Sequence, residues 1–373
     1  MSRQIVLLLF LSPLALSLTF GQSTDSSSFA VVGYAQFRFR GGASYDYAEL
    51  SHLNFSFVHL REGRLSLFGN RDSTALARTV SLKQIYPHLK VAVSVGGWGG
   101  CGSCSATFAT AEGRRTFVTS ARDLLERFGL DGIDLDWEYP AIEGFPGHRY
   151  APEDRHDFTL LLQELRGVLG NRFELTFAAG AFDQYLTSSV EWKEVTPLVD
   201  RIYLMTYDLV NGFSTVTGHQ TPLYSTSEQV ASADHAVRFL DSVGVPGEKI
   251  VIGAAFYARV WKDVPDTNHG LHQPGAFAGL VSYKDLTSYW RDHPGFQMLW
   301  DSVAAAPYAY NPSERLFATF DDRRSVALKT AYALRHHLGG MMFWELNGDI
   351  PEDGLLHTID SVKSVTRGEG GTR

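Results

Sequence analysis

Eight short apolar runs, most of them followed by a helical pattern, predict an α/β fold: a closed (β/α)8 TIM barrel with a small α+β insertion between strand 7 and helix 7. Three observations carry this expectation. The runs have the length and the Val, Ile and Phe content of strands buried on both faces. The segments between them carry apolar stripes at helical spacing, so strands and helices alternate as parallel βαβ units. Eight such units are the number that closes a barrel.

The eight runs are Ala30–Tyr34, Leu53–Val58, Val91–Val95, Gly132–Trp137, Leu175–Ala179, Arg201–Met205, Ile250–Ala255 and Met341–Trp344. After the third, Phe117, Val118, Ala121, Leu124, Leu125 and Phe128 form one stripe, with Gly129 as its stop. After the fourth, a helix from about Arg155 carries Phe158, Leu161, Leu162, Leu165 and Leu169 and ends before Gly170. The interval from Ala255 to Met341 is too long for one βα unit, which averages about 30 residues. A last helix over about 322–337 fills only its end. Residues 260–319, rich in Tyr, Trp and Phe, are therefore read as the inserted domain, and 29–259 with 320–362 as the barrel. The polar, Gly-rich tail over 363–373 is expected to fray.

Arg3, the apolar stretch Ile5 to Leu18 and the small-x-small triplet Thr19-Phe20-Gly21 read as a secretory signal over 1–21. Gln22 to Ser28, polar and Ser-rich, is expected to be a disordered lead-in. No later segment offers the roughly 20 apolar residues of a membrane span. The mature chain is therefore expected to be secreted, to have no membrane partner and to act as a monomer. A net charge of −8 argues against nucleic acid, which favours a basic face.

Two cysteines exist, Cys101 and Cys104. In an oxidising compartment a small loop disulfide is the favoured reading. A zinc site needs about four ligands, and no second Cys or His pair stands at suitable spacing. A redox Cys-x-x-Cys opens a helix in a thioredoxin-like unit, which this context does not resemble. No metal and no cofactor are expected.

The most informative segment runs from Phe128 to Pro140, with acids at Asp131, Asp134, Asp136 and Glu138. Side chains alternate along a strand, so Asp134, Asp136 and Glu138 point into the barrel, and Ile133, Leu135 and Trp137 point out towards the helices. Asp131 has the opposite parity and suits strand entry. Three carboxylates on one face of a buried strand repel one another, and burial penalises their charge. Metal binding and acid–base work are the usual reasons to keep such an arrangement. A cation cage needs oxygens that converge, whereas same-face residues on a strand stand about 6.6 Å apart. Acid–base work fits better. Asp134 and Asp136 are placed to share a proton, and Glu138, at the C-terminal end where barrel active sites lie, is the general acid.

Asp131-Gly-Ile-Asp-Leu-Asp-Trp-Glu-Tyr-Pro140 resembles the catalytic signature of family 18 glycoside hydrolases, the chitinases and their relatives. Val93-Ser-Val-Gly-Gly-Trp98, Met205-Thr-Tyr-Asp208, Phe256-Tyr-Ala-Arg259 and Gly340-Met-Met-Phe-Trp-Glu345 resemble four further motifs of that family, in order. The insertion is similar to that of the deep-cleft subgroup. The resemblance implies a substrate-assisted retaining reaction on chitin or chitooligosaccharides, in which the sugar's 2-acetamido oxygen attacks the anomeric carbon. Glu138 is then acid and base, Asp136 binds the acetamido N–H, Tyr207 orients its carbonyl, and Asp208 contacts the distorted sugar. Trp344 forms the floor and Trp98 a second stacking surface. Tyr34, Tyr139, Met205, Tyr257 and Arg259 complete the substrate-binding set, with Ser94 tuning Asp134. Ala258 stands where the family pattern has Gly, and the Cys101–Cys104 loop is unfamiliar after Trp98. An endo-β-N-acetylglucosaminidase acting on N-glycan cores and an inactive chitin-binding lectin are the alternatives.

Overall fold

The computed structural model describes residues 29–36, 45–67 and 69–369. The signal and lead-in read over residues 1–28 lie outside the described residues. Eight strands form a ring: β1 (Ala30–Gln36), β2 (His52–Arg61), β3 (Lys90–Gly96), β4 (Gly132–Asp136), β5 (Glu174–Gly180), β6 (Arg201–Met205), β7 (Ile250–Ala255) and β8 (Gly340–Trp344). Each pairs in parallel with the next, and β8 returns to β1, where Ala30 stands opposite Gly340. A short strand, Arg64–Ser66, folds back antiparallel on β2. The sequence runs and the ring strands agree to within a few residues at each end.

The outward faces of the strands bury their apolar side chains under the helices. Val91, Val93 and Val95 of β3, Ile133 and Leu135 of β4, and Leu175 and Phe177 of β5 share one core with Phe117, Val118, Leu125, Phe158, Leu161 and Leu165. The last six come from the helices Ala111–Phe128 and Asp154–Leu169. The first of these starts where Thr110 accepts a hydrogen bond from Gly113 N, so an otherwise orphaned amide is satisfied.

The barrel interior combines an apolar cluster, with Val32, Tyr203, Met205, Val251 and Met342, and buried polar groups. At its N-terminal end, the Glu174 carboxylate meets His52 at 2.9 Å, Lys90 at 2.5 Å and Arg201 at 3.2 Å. Burial alone would raise the Glu174 pKa, but His52, Arg201 and Lys90 hold it well below the usual carboxylate range. A buried carboxylate is tolerable there because three cationic or hydrogen-bonding partners surround it.

Between β7 and β8 stands a five-stranded antiparallel sheet. Its order is 276–282, 257–262, 316–319, 306–311 and 297–301, with the helix Leu286–Asp292 alongside. Two apolar clusters pack against the central strands: one with Ala258, Val260, Leu286, Ala309, Ala318 and Phe320, the other with Trp261, Leu271, Tyr310 and Phe317. The sheet begins at Tyr257, three residues before the expected start at 260. Only Phe256 separates it from β7, because Arg259 pairs with both Leu280 and Thr319 and so belongs to the sheet.

The tail read over 363–373 begins within the last helix, and residues 370–373 lie outside the described residues. One helix runs from Leu355 to Glu369. Its first turns bury Leu355, Leu356 and Ile359 in the barrel core, and Lys363 pairs with Asp360 at 3.2 Å. Once that anchored turn exists, each further residue adds a hydrogen bond, and the helix propagates past the polar positions. Among the described residues, no helix is long and apolar enough to cross a membrane.

Candidate active site

The ladder on β4 rises from the sealed interior to the open mouth. Asp134 is fully buried and receives three hydroxyl donors: Tyr34 at 2.8 Å and Ser94 at 2.7 Å on Oδ2, and Thr176 at 2.8 Å on Oδ1. Strand register explains the cluster, since Ser94, Asp134 and Thr176 stand side by side on β3, β4 and β5. Burial raises the Asp134 pKa, and the bonds from Ser94, Tyr34 and Thr176 oppose the rise. Asp136 Oδ1, further up the strand, is buried with no hydrogen-bond partner.

Asp136 is 5% exposed. Burial drives its pKa well above the carboxylate range, and the charges of Glu138 and Asp134 add to the effect. Glu138, two residues on and partly exposed, is pushed up to about 7 by burial, with Asp208 contributing further. Two like-charged groups this close titrate as a pair that strongly favours keeping one proton. Such a proton, held near neutrality at the mouth of the barrel, is what a general acid requires.

Opposite β4, the segment after β6 supplies Tyr207 and Asp208. The Tyr207 ring packs over Gly253 of β7, where a Cβ would come within 2.7 Å of it; only glycine leaves room. Its phenol lies 3.7 Å from Met342 Sδ. Asp208 adopts φ +58. Its carboxylate accepts from Arg259 Nε and Nη2 at 2.5 and 2.6 Å, and from the Tyr257 phenol at 2.7 Å. Arg259 and Tyr257 thus hold Asp208 in place. Met205 lies below Tyr207 in the same cluster. Ala258 is fully buried against the insertion core, which its methyl group helps to fill.

Trp344 ends β8 at the mouth. Its ring stacks on Phe57, with centroids 5.4 Å apart and planes 17° from parallel, and it leans on Tyr34 at 6.0 Å. Gly97 admits Phe57, since a Cβ there would lie 2.4 Å from its ring. Tyr34 packs beneath Trp344. It is 2% exposed, and its phenol is bonded to Asp134, so it supports the ladder from below.

On the other rim Trp98 is 48% exposed, within 6.4 Å of Tyr139, 5.6 Å of Phe145 and 6.1 Å of Phe213. Tyr139 is wedged edge-on against Phe182 and Tyr185. Cys101 and Cys104 form a disulfide buried beneath this rim, with Cα atoms 5.2 Å apart. Among the described residues, no group of three His, Cys, Asp or Glu is arranged to hold a metal ion.

Sequence reasoning missed Phe57, Thr176, Phe145 and Phe213. Thr176 has the inward parity on its strand, but only the register places it beside Asp134. Phe57, Phe145 and Phe213 stand in segments without a motif, and nothing local marks them.

A carboxyl that burial raises to about 7, at the C-terminal mouth of a (β/α)8 barrel, is suited to acid–base chemistry. Residues 30–349 match the family described as Glycosyl hydrolases family 18, and the chain belongs to that family. It is 37% identical to chitinase A1 of Niallia circulans over 72% of its length, and it spans about two fifths of that relative (42%). It is 29% identical to chitinase B of Serratia marcescens, over 84% of this chain and 76% of that one. Among solved structures, it is similar to a family 18 N-acetylglucosaminidase from Paenibacillus barengoltzii, with a TM-score of 0.81 and 36% identity over 90% of this chain and 99% of that one. It is also similar to a chitinase from Bacillus thuringiensis, with a TM-score of 0.84 and 29% identity over 91% of this chain and 70% of that one.

Proposed function

We propose that the chain is a secreted, monomeric chitinase that hydrolyses β-1,4-linked N-acetylglucosamine polymers by substrate-assisted retaining catalysis. The observation that carries this reading is the pairing of Glu138, whose carboxyl is pushed up to about 7, with Asp136 beneath it, whose Oδ1 is buried without a partner. Glu138 protonates the departing glycosidic oxygen and then takes the proton of the incoming water. Asp136 Oδ1 accepts from the acetamido N–H, which satisfies an otherwise costly buried acceptor. The acetamido oxygen supplies the nucleophile, in line with the family's place among the substrate-assisted exceptions to the two-carboxylate scheme. Trp344, backed by Phe57, stacks under the distorted sugar, and Tyr207 orients the acetamido group.

Release of single N-acetylglucosamine units from chain ends is a second reading. It is favoured by the Paenibacillus barengoltzii relative, whose whole chain this one nearly covers. Early-time chromatography of N-acetylglucosamine hexamer tests both. β-Anomeric dimers and trimers support the chitinase, whereas monomers alone support the second reading. Binding without cleavage would make the protein a lectin, and neither binding nor cleavage would turn attention to N-glycan cores. Equal rates on chitin and on fully deacetylated chitosan would sink the substrate-assisted step.

A further inference from the structure

Beneath the segment that carries Tyr207 and Asp208 lies a charge pair that the acid–base chemistry does not use. Lys329, on the helix Arg323–Arg335, and Asp321, just before it, are both buried. Lys329 Nζ lies 2.8 and 2.7 Å from the two carboxylate oxygens. Asp321 also accepts from Ala255 N, at the end of β7, at 2.9 Å and from Ser325 Oγ at 2.6 Å.

The network continues towards the site. Thr221 Oγ1 accepts from Lys329 Nζ at 2.5 Å and donates to the Thr206 carbonyl at 3.0 Å. The Thr206 hydroxyl is clamped on its other side, donating to Gly253 O at 2.7 Å and accepting from Gly253 N at 2.9 Å. Next to Thr221, the Gln220 carbonyl accepts from Leu209 N at 3.0 Å. The Gln220 amide donates to the carbonyls of Tyr257 and Thr319. Residues 206–209 are therefore held at both ends by Gln220 and Thr221, which are held in turn by the inserted sheet and by Lys329.

Stability alone is a poor reason for this pair, because an apolar pair of similar volume is often as stable or more so. What an apolar pair lacks is the set of directed bonds to Ala255 N and Thr221. Those bonds matter where Asp208 holds φ +58, a conformation that a non-glycine residue keeps only when its surroundings over-determine it.

We propose that Lys329, Asp321 and Thr221 are positioning residues: they fix the backbone of Thr206, and with it the Tyr207 ring and the Asp208 carboxylate, against the inserted sheet. The role rests on the glycosidase reading above. It is tested with the full-length protein and its Thr221→Val variant, in which a methyl group replaces only the bonding hydroxyl, and with Thr221→Ser as rescue. Loss of positioning lowers kcat on N-acetylglucosamine hexamer by about tenfold to a hundredfold, with KM little changed. Thr221→Ser restores the wild-type rate. Amide exchange across residues 205–210 becomes about tenfold faster in Thr221→Val. A lower melting temperature with unchanged kcat below the transition, or unchanged exchange in that segment, overturns the proposal. If the wild type turns over no hexamer, the functional reading fails, and the exchange comparison decides this one by itself. Thr206→Val, which frees the same segment from Gly253, is the second probe should Thr221→Val not fold.

Discussion

Arg259 grips Asp208 through two parallel hydrogen bonds, Nε to Oδ1 and Nη2 to Oδ2, at 2.5 and 2.6 Å. The arginine comes from the first strand of the inserted sheet and the aspartate from the segment after β6, so the pair joins two parts of the chain at the cleft. A planar fork of this kind fixes orientation as well as charge. Lysine offers one compact ammonium and cannot reproduce it. Arg259→Lys is expected to lower kcat/KM on chitooligosaccharides by about tenfold to a hundredfold while the circular dichroism spectrum stays unchanged. A variant within twofold of wild type would show that Asp208 needs no such grip.

Glu138→Gln removes the proton donor but keeps the shape of the side chain. Turnover is expected to fall by about three or more orders of magnitude, in the range found for groups acting in the transition state. Binding of an uncleaved oligomer, read by calorimetry, should persist. Retention of more than about a tenth of wild-type turnover, against the hundredfold or more that acid–base catalysis contributes, removes Glu138 from its role.

Burial raises the Glu138 carboxyl from its ordinary value of 4.5 to about 7. The rate should therefore decline on the alkaline side as this proton is lost, with a macroscopic midpoint near 7 that belongs to the Asp136–Glu138 pair. A pH profile of kcat/KM that stays flat to pH 9 contradicts the assignment.

The same shift makes a stability prediction with a definite sign. Between about pH 4.5 and 7 the folded protein binds a proton at Glu138 that the unfolded chain has lost. The contribution to stability is therefore complete below about 4.5 and is lost as pH rises through about 7. Glu138→Gln has no such dependence. Relative to wild type it should gain on the order of 1–3 kcal/mol between pH 4.5 and 8. Thermal melts of both proteins across that range check it, and a constant difference refutes it.

The Cys101–Cys104 bridge closes a very short loop, so its effect on the unfolded chain is small, about 2 kcal/mol in the chain-entropy picture. Replacing both cysteines by serine should lower the melting temperature by only a few degrees. The larger change should come in KM for long oligomers, because the bridge underlies the rim that carries Trp98. Equal KM values for wild type and variant on hexamer would show that the rim holds its shape without the bridge.

The sequence by itself determined the barrel and the line of carboxylates along β4. Alternation along β4 sufficed to send Asp134, Asp136 and Glu138 inward and Ile133, Leu135 and Trp137 outward, because side-chain direction on a strand is a local property. The apolar runs located the ring strands for the same reason. What neighbouring strands place beside each other was decided only by the tertiary structure. Thr176 joins Asp134 through strand register, Phe57 reaches Trp344 across the mouth through space opened by Gly97, and Tyr34 of β1 reaches Asp134 through its phenol. The start of the inserted sheet at Tyr257 and the continuation of the last helix to Glu369 belong to the same class. Each depends on partners distant in sequence: pairing with Leu280 and Thr319 in one case, burial of Leu355 and Ile359 in the barrel core in the other. Composition and periodicity describe one segment at a time, whereas register, capping and packing energy are shared between segments, and so they become legible only once the chain has folded.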